Sequence, residues 1–486
     1  MLPARLRTLR YDLPASLVVF LVALPLCVGV AVASGVPAEL GLITGIVGGL
    51  VAGALPGSAL QVSGPAAGLT VLVFECVRTH GLDSLGITVL AAGVLQVLLG
   101  LLRFGRWFRA ISVAVVEGML AGIGLVLILG QVYALADRPT PDDTVGKLAG
   151  LPGLVAGLVS SPAAARAGAV GLGTLAVILL WPRLPGPVRR VPGVLVAIAL
   201  ATAVTALAGV PVATLDVSGL WAAVRLPDAA ALAGLADPAL LGTVLAFALI
   251  ASAESLFSAA AVDRMHRGRP TDFDRELVAQ GTGNVVCGAV GALPMTAVIV
   301  RSAANVRAGA RTRASRVLHG AWLLLFAALL PAAIGLIPIA ALAAVLLHAG
   351  AKLLPVARTR QWWREQRGEA VILLLTAAAI LATNMFEGIL VGLAAAVFKT
   401  AWDTSRVQVV VRDEEPGPVR VTLVGSATFL RLPQVLERLE TLPKRRTIDL
   451  HLSTLRHLDH ATRLALEEWA ATHNADSERV RIVQPI

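Results

Sequence analysis

The sequence predicts a polytopic α-helical membrane protein of fourteen spans, arranged as two inverted halves of seven and followed by a small α/β domain. Three observations predict it: an apolar, charge-poor composition, arginines that gather in alternate loops, and two short proline-broken segments at matching places. Of 486 residues, 56% are hydrophobic and 15% charged, where a soluble domain has about 45–50% apolar and about 25% charged residues. Mean hydropathy is +0.78. This composition excludes a soluble enzyme. The 46 glycines and 27 prolines would break soluble helices, but a bundle tolerates them because neighbouring helices satisfy the freed backbone groups. The ten-residue alternation of a transmembrane β-barrel is missing. Cys27, Cys76 and Cys287 have neither disulfide nor metal-ligand spacing. With no nucleophile–base pair, metal cluster or phosphate-binding Gly-rich loop, the sequence calls for no catalytic residue, no metal and no cofactor.

Apolar runs fall near residues 13–33, 40–55, 64–77, 86–102, 112–134, 166–182, 191–209, 240–262, 277–291, 294–305, 317–336, 338–351, 369–383 and 387–402. Arg5, Arg7 and Arg10 precede the first run, which many others follow, so it reads as a retained helix and not a cleaved signal. With a cytoplasmic N-terminus, the loops around Arg103–Arg109, Arg183–Arg190, Arg264–Arg275, Arg307–Arg316 and Lys352–Arg367 are also cytoplasmic. They outnumber the basic residues of the opposite loops by roughly four to one, as the positive-inside rule requires. The formal net charge of +10 is therefore topological and does not call for nucleic acid. Both termini are expected in the cytoplasm. The arginine-rich basic set points to a bacterium and its inner membrane.

After Ala401 the composition changes. Val407–Arg412, Val419–Val424, Thr447–Leu452 and Arg479–Val483 read as strands, and 430–441 and 461–471 as amphipathic helices. The chain thus divides into a membrane domain, 1–405, and an α/β domain, 406–486.

Ser63-Gly64-Pro65-Ala66-Ala67-Gly68 opens the third run and Gly291-Ala292-Leu293-Pro294-Met295-Thr296 the tenth. These are equivalent places in two halves of seven, and an odd number of spans inserts the halves in opposite orientations. A transporter with its site between two broken helices follows. Helix N-termini carry unpaired N–H groups and partial positive charge, which suit an anion. Ala66, Ala67 and Gly68 and, across from them, Met295, Thr296 and Ala297 are the expected donors. Otherwise the Gly-Pro turns merely kink helices for packing.

These turns, with Asp12-Leu13-Pro14-Ala15-Ser16, Ala23-Leu24-Pro25-Leu26, Gly118–Gly124, Ala253-Glu254-Ser255-Leu256, Ala279–Asn284 and Arg301–Asn305, resemble the sulfate permease (SulP) family of anion transporters, whose animal relatives form solute carrier family 26. The resemblance covers the membrane half end to end, and the last domain looks like the STAS domain that usually follows it. It implies a homodimer with the fold of uracil permeases, in which a core of spans 1–4 and 8–11 moves like an elevator against a gate of spans 5–7 and 12–14. It also implies that Arg301 supplies positive potential to the site and that apolar residues of span one, Phe20 and Leu24 here, wall it. In phosphorylatable STAS proteins a Ser or Thr follows an Asp near a helix start. Here Asp459 is followed by His460, which favours a structural or dimer-regulating role.

Glu254 lies near the middle of its span, where a charged side chain costs about 2.5 kcal/mol or more and is a functional candidate by default. Ser258 is one turn away on the same face. A carboxyl that crosses neutral, with substrate and proton bound, suits proton coupling. Sodium is the other coupling ion to weigh, since sodium-coupled bicarbonate members of the resembled family hold it with an Asp at this place. A structural salt bridge to Arg301 is the plainer reading of both residues, and snorkelling to the surface another for Arg301. Gln280 and Asn284 read as packing glue between helices, and Glu117 as a gate contact. Four histidines are in the last domain; His80, His266, His319 and His348 are not expected deep in a span. The function expected is secondary active transport of a small anion, such as a dicarboxylate like fumarate, bicarbonate or sulfate, by proton symport. The alternatives are a sodium-coupled bicarbonate symporter and an uncoupled exchanger or channel. Membrane lipid and a second copy of the chain are the expected partners.

Overall fold

The computed structural model describes the chain apart from residues 1–3, 107–111, 142–143, 186–190, 217–218, 384, 414–416, 444–445, 475–479 and 484–486. Arg109, Arg189, Arg190 and Arg479, used above, lie outside the described residues. Two compact units are formed, Met1–Gly392 and Leu393–Ile486. The division falls inside the last apolar helix, whereas the composition changes after it.

The first unit contains α1 (Ala4–Ala33), α2 (Ala38–Val47, continued by a π turn over Gly48–Ala52), β1 (Ser63–Pro65), α3 (Thr70–His80, entered through a 3-10 turn at Ala67–Leu69), α4 (Leu82–Leu101) and α5 (Val113–Leu135). Next come α6 (Thr144–Ser160), α7 (Pro162–Leu180), α8 (Gly193–Leu207) and α9 (Ala229–Gly234). The second half runs through α10 (Pro238–Asp263), α11 (Phe273–Ala289), β2 (Met295–Ala297), α12 (Ile299–Arg307), α13 (Ala314–Leu329), α14 (Pro331–Gly335) and α15 (Ile339–Leu353). It ends with α16 (Val356–Glu365), α17 (Arg367–Ala382) and α18 (Met385–Thr404), which crosses into the second unit.

Every apolar run coincides with a helix or with a strand leading into one. Among the described residues, six helices are by themselves long and apolar enough to cross a membrane. The other runs form shorter helices, such as Ala38–Ala52, Gly193–Leu207 and Ala314–Leu329, so the count of fourteen rests on the apolar runs. Three helices were not expected. In α6, Pro152 and a largely exposed surface mask the apolar pattern; α9 is very short; α16 is charged. Counting runs, α6 and α16 hold the same place in the two halves, each after the fifth.

Packing follows two groups. In one, α1 lies on α2, α12 and α13, and α4 lies on α10 and α11; in the other, α5 lies on α15 and α17, and α7 on α8 and α15. The closest pair, α4 and α11, meets through Gly93, Gly281 and Gly288, where an added Cβ would strike the facing backbone. Small residues set such approaches because lipid gives helices no hydrophobic reason to associate. At the centre β1 and β2 pair antiparallel, Ser63 with Ala297, Gly64 with Thr296 and Pro65 with Met295.

In the second unit, β3 (Val407–Arg412) pairs antiparallel with β4 (Val419–Ala427). Along its length β4 pairs in parallel with β5 (Ile448–His451) and then β6 (Leu455–Leu458), and β5 pairs in parallel with β7 (Val480–Val483). Val419, Val421 and Leu423 alternate inward and pack with Val435 and Leu439 of α19 (Leu432–Glu440) and with Leu466 and Trp469 of α20 (His460–His473). Both helices thus cover one face of the sheet. The strand β6 was not expected, because Leu-Arg-His-Leu lacks an alternating apolar face.

Asp459 caps α20 by accepting from the Thr462 N–H at 2.8 Å, and it also accepts from the Phe429 N–H at 2.7 Å. Partial burial pushes its carboxyl up, but these hydrogen bonds outweigh burial and hold it below the usual aspartate range. A depressed value means that the carboxylate stabilises α20 fully at neutral pH and loses that contribution as pH falls through its folded value. Asp459→Ala is expected to cost about 1 kcal/mol, read as faster hydrogen exchange in α20 of the full chain. Unchanged exchange would remove the capping role.

Candidate functional site

The two chain breaks are built alike but not from the expected residues. After Pro65, Ala66 is extended at φ −116°, ψ 139°, and the helical course begins at Ala67. The N–H groups of Ala67 and Gly68 therefore open this helix, and Ala66 stands before it. On the other side β2 occupies Met295–Ala297, Val298 is extended at φ −109°, ψ 118°, and α12 begins only at Ile299. Of the expected donors there, the Met295 N–H donates to Asn284 Oδ1 at 2.7 Å and the Ala297 N–H to Ser255 Oγ at 3.2 Å. The first-turn donors are instead Ile299, Val300 and Arg301. Strand pairing wins because all six residues of β1 and β2 are buried, and buried backbone groups must be satisfied by protein.

The two helix starts face a cavity of about 130 Å³ lined by Pro65, Ala67, Gly68, Glu254, Ser258 and residues 298–301. Ala66, Met295, Thr296 and Ala297 are buried and do not line it. Nor do Phe20 and Leu24. Phe20 packs edge-on to Phe326 with ring centroids 5.7 Å apart, and α1 walls the cavity with Val22, Leu26 and Val30. Both sets repeat every four residues, so periodicity does not choose between faces. From the other group of helices come Met119 and Leu120 of α5 and Val345, His348, Ala349 and Lys352 of α15.

Arg301 is 0% exposed. Its Nη2 donates to the Pro65 carbonyl at 3.2 Å, while Nε and Nη1 have no hydrogen-bond partner among the described residues. The guanidinium lies against Gly64, where any Cβ would collide with it. Arg301 therefore does not snorkel, and no ion pair among the described residues joins it to Glu254. Glu254 Oε2 likewise lacks a hydrogen-bond partner. A Cβ on Gly68 would stand 2.7 Å from that oxygen, so glycine is what lets the carboxyl lie beside the helix start. Ser258, 2% exposed, also lines the cavity.

Behind the cavity, polar side chains fasten the broken segments. Asn284 Nδ2 donates to Gln96 Oε1 at 2.7 Å and to the Met295 carbonyl at 3.0 Å. Gln280 Nε2 donates to Ser63 Oγ and to Glu276 Oε1, each at 2.7 Å. Gln61 Nε2 donates to the Ser255 carbonyl at 2.7 Å, the Val62 N–H to Ser302 Oγ at 2.9 Å, and Asn305 Nδ2 to the Leu60 carbonyl at 2.9 Å. Gln280 and Asn284 are thus fasteners. Glu117 is held by Arg358.

His348 and Lys352 were missed as lining residues. Their spacing of four on an apolar helix was the available signal. His319, 0% exposed, lies in the second turn of α13, and His348 lines the cavity. Arg316, also missed, is 1% exposed and donates to the carbonyls of Ser58 and Ala52.

With two helix starts facing it, Arg301 in its wall and Lys352 at its edge, the cavity is chemically suited to an anion. Comparison with known proteins agrees in kind. YvdB of Bacillus subtilis (strain 168) is 26% identical over 479 residues, covering 95% of this chain and 88% of YvdB. The bicarbonate transporter BicA of Picosynechococcus sp. is 26% identical over 369 residues, 72% of this chain and 62% of BicA. The solved structure of SLC26A9 superposes with a TM-score of 0.78 over 98% of this chain and 84% of that one, at 14% identity, which shows a shared fold. Residues 9–376 match the sulfate permease family, a family of multi-pass membrane transporters and not of enzymes, and the chain belongs to it.

Proposed function

We propose that the protein is a secondary active transporter that carries a small anion, such as a dicarboxylate, bicarbonate or sulfate, together with a proton. The observation that carries the reading is Arg301: a fully buried guanidinium in the first turn of α12, with two nitrogens unpartnered and no ion-paired carboxylate among the described residues. A buried charge is tolerable only when paired, and an anion bound in this cavity would supply the pair. Glu254 is the proton carrier in this reading, because its carboxyl reaches the same cavity with an oxygen unspent. The cavity is walled by α1, the turn into α3, α10 and α12 on one side and by α5, α8 and α15 on the other. That arrangement supports movement of the first group, as a core, past the second, as a gate. In this reading both termini face the cytoplasm of a bacterial cell, the protein works as a homodimer, and the C-terminal α/β unit is a STAS domain with His460, not a phosphorylatable Ser or Thr, after Asp459.

The test is uptake of radiolabelled fumarate, bicarbonate and sulfate by the purified protein in liposomes, under imposed proton or sodium gradients. Accumulation of none of them with either gradient would refute the proposal. Ala67→Leu, which fills the cavity from its half-buried rim, is expected to weaken anion binding at least tenfold with an unchanged melting temperature. Unaltered affinity would move the site elsewhere. Thr296, fully buried in β2, is unsuitable for this test because a larger side chain there would disturb the strand pair.

A further inference from the structure

A second feature of the membrane unit lies away from the anion cavity. Helix α16 has two faces with different duties. On one, Trp362 packs against Ala121, Leu373 and Ala377, and Arg358 is ion-paired with Glu117 while lying 5.9 Å from the Trp362 ring. These contacts hold the helix on α5 and α17. The other face carries Arg360, Trp363 and Arg364 beside a groove of about 740 Å³. The groove floor is apolar, with Leu125, Leu354, Leu373, Leu374 and Ala377. Val356 is 69% and Trp363 50% exposed at its rim. Arg360 and Arg364 are exposed, and among the described residues neither has a carboxylate partner. The nearest acid on the helix, Glu365, accepts from Gln361 Nε2 at 3.1 Å.

We propose that this groove is a binding site for one anionic phospholipid, with an acyl chain along the α5–α17 floor and the phosphate on Arg360 and Arg364. The argument is complementarity at both ends. A long apolar floor is filled at no cost by hydrocarbon, whereas two adjacent cations one helical turn apart need an anion at its end. Tryptophan is enriched where acyl chains meet headgroups, and basic pockets between helices hold anionic lipid heads. The clustering of basic residues around α16 puts this end in the cytoplasmic leaflet, which is rich in such lipids. Arg358 is excluded from the role because Glu117 already holds it.

The full chain, purified in detergent, is titrated with phosphatidylglycerol or phosphatidylcholine and the first bound lipid is counted by native mass spectrometry. Phosphatidylglycerol is expected to bind at least about tenfold more tightly, and R360Q/R364Q to remove that preference. R360K/R364K should keep most of it, which separates loss of charge from loss of fold. Equal binding of the two lipids, or an undiminished preference in R360Q/R364Q, would overturn the site. Displacement of the lipid by millimolar inorganic phosphate would show a phosphate site and not a lipid site. Rapid disulfide cross-linking between two copies of W363C without lipid would give the groove to a second chain.

Discussion

Glu254→Gln is expected to abolish uptake driven by an inward proton gradient while leaving anion binding and exchange intact. Glutamine reproduces the size and the neutral state of a protonated carboxyl, so the loaded core should still cross. What is lost is the empty, anionic state that resists crossing and makes the two fluxes depend on each other. The geometry sharpens the expectation: Glu254 lies against Gly68 and shares the cavity with Arg301 without bonding it, so the substitution leaves no ion pair broken. Glu254→Asp should retain some coupling with a shifted pH optimum, since the shorter chain withdraws from Gly68. Measured uptake at fixed pH decides the ion. Uptake that requires sodium, ignores the proton gradient and loses its sodium dependence in the Gln variant would replace the proton with sodium held between Glu254 and Ser258.

Arg301→Gln is expected to weaken anion affinity roughly ten- to a hundredfold, the value of losing charge-assisted hydrogen bonds in a buried site. Arg301→Lys should fall between, because an ammonium keeps the charge and loses the planar fork. Folding should survive both changes. Arg301 donates to the Pro65 carbonyl, and among the described residues it has no ion-paired carboxylate, so removing the cation strands no opposite charge. Isothermal titration with the transported anion, beside a melting curve, separates the outcomes. Unchanged affinity in Arg301→Gln would show that the guanidinium serves packing alone.

Much of this arrangement was legible in the sequence, for stated reasons. Apolar runs and arginine segregation report the solvent on each segment, and each expected run is a helix or a short strand leading into one. Pro65 and Pro294 announced the breaks, and Gly64 and Gly68 are glycines because Arg301 and Glu254 lie against them. The exact donors at the second break were not legible. Met295-Thr296-Ala297 follows its proline much as Ala66-Ala67-Gly68 does, but pairing with β1 is a long-range choice that no local pattern contains. The same holds for α1, where Val22-Leu26-Val30 and Phe20-Leu24 are equally apolar and only tertiary packing selects the first. His348 and Lys352 escaped because an apolar helix with two polar residues reads equally as a span end. The C-terminal strands were readable from alternation, and β6 was not, because its four residues have none.

The β1–β2 pair also sets an order of events during synthesis. The residues it brings together are far apart in the chain: Arg301 reaches Pro65 across 236 positions. At about 5–20 residues per second, the ribosome needs roughly 10–50 s to deliver the second strand after the first. Through that interval Ser63, Gly64 and Pro65 wait in the bilayer without β2, and so do the Val62 N–H and the Leu60 carbonyl that Ser302 and Asn305 later bind. The nascent first half must therefore be sheltered by the insertion machinery or by lipid-adjusted, non-native pairing until the tenth run arrives. Truncated chains ending before Met295 should be caught by quality-control proteases as whole molecules, however well their individual helices insert.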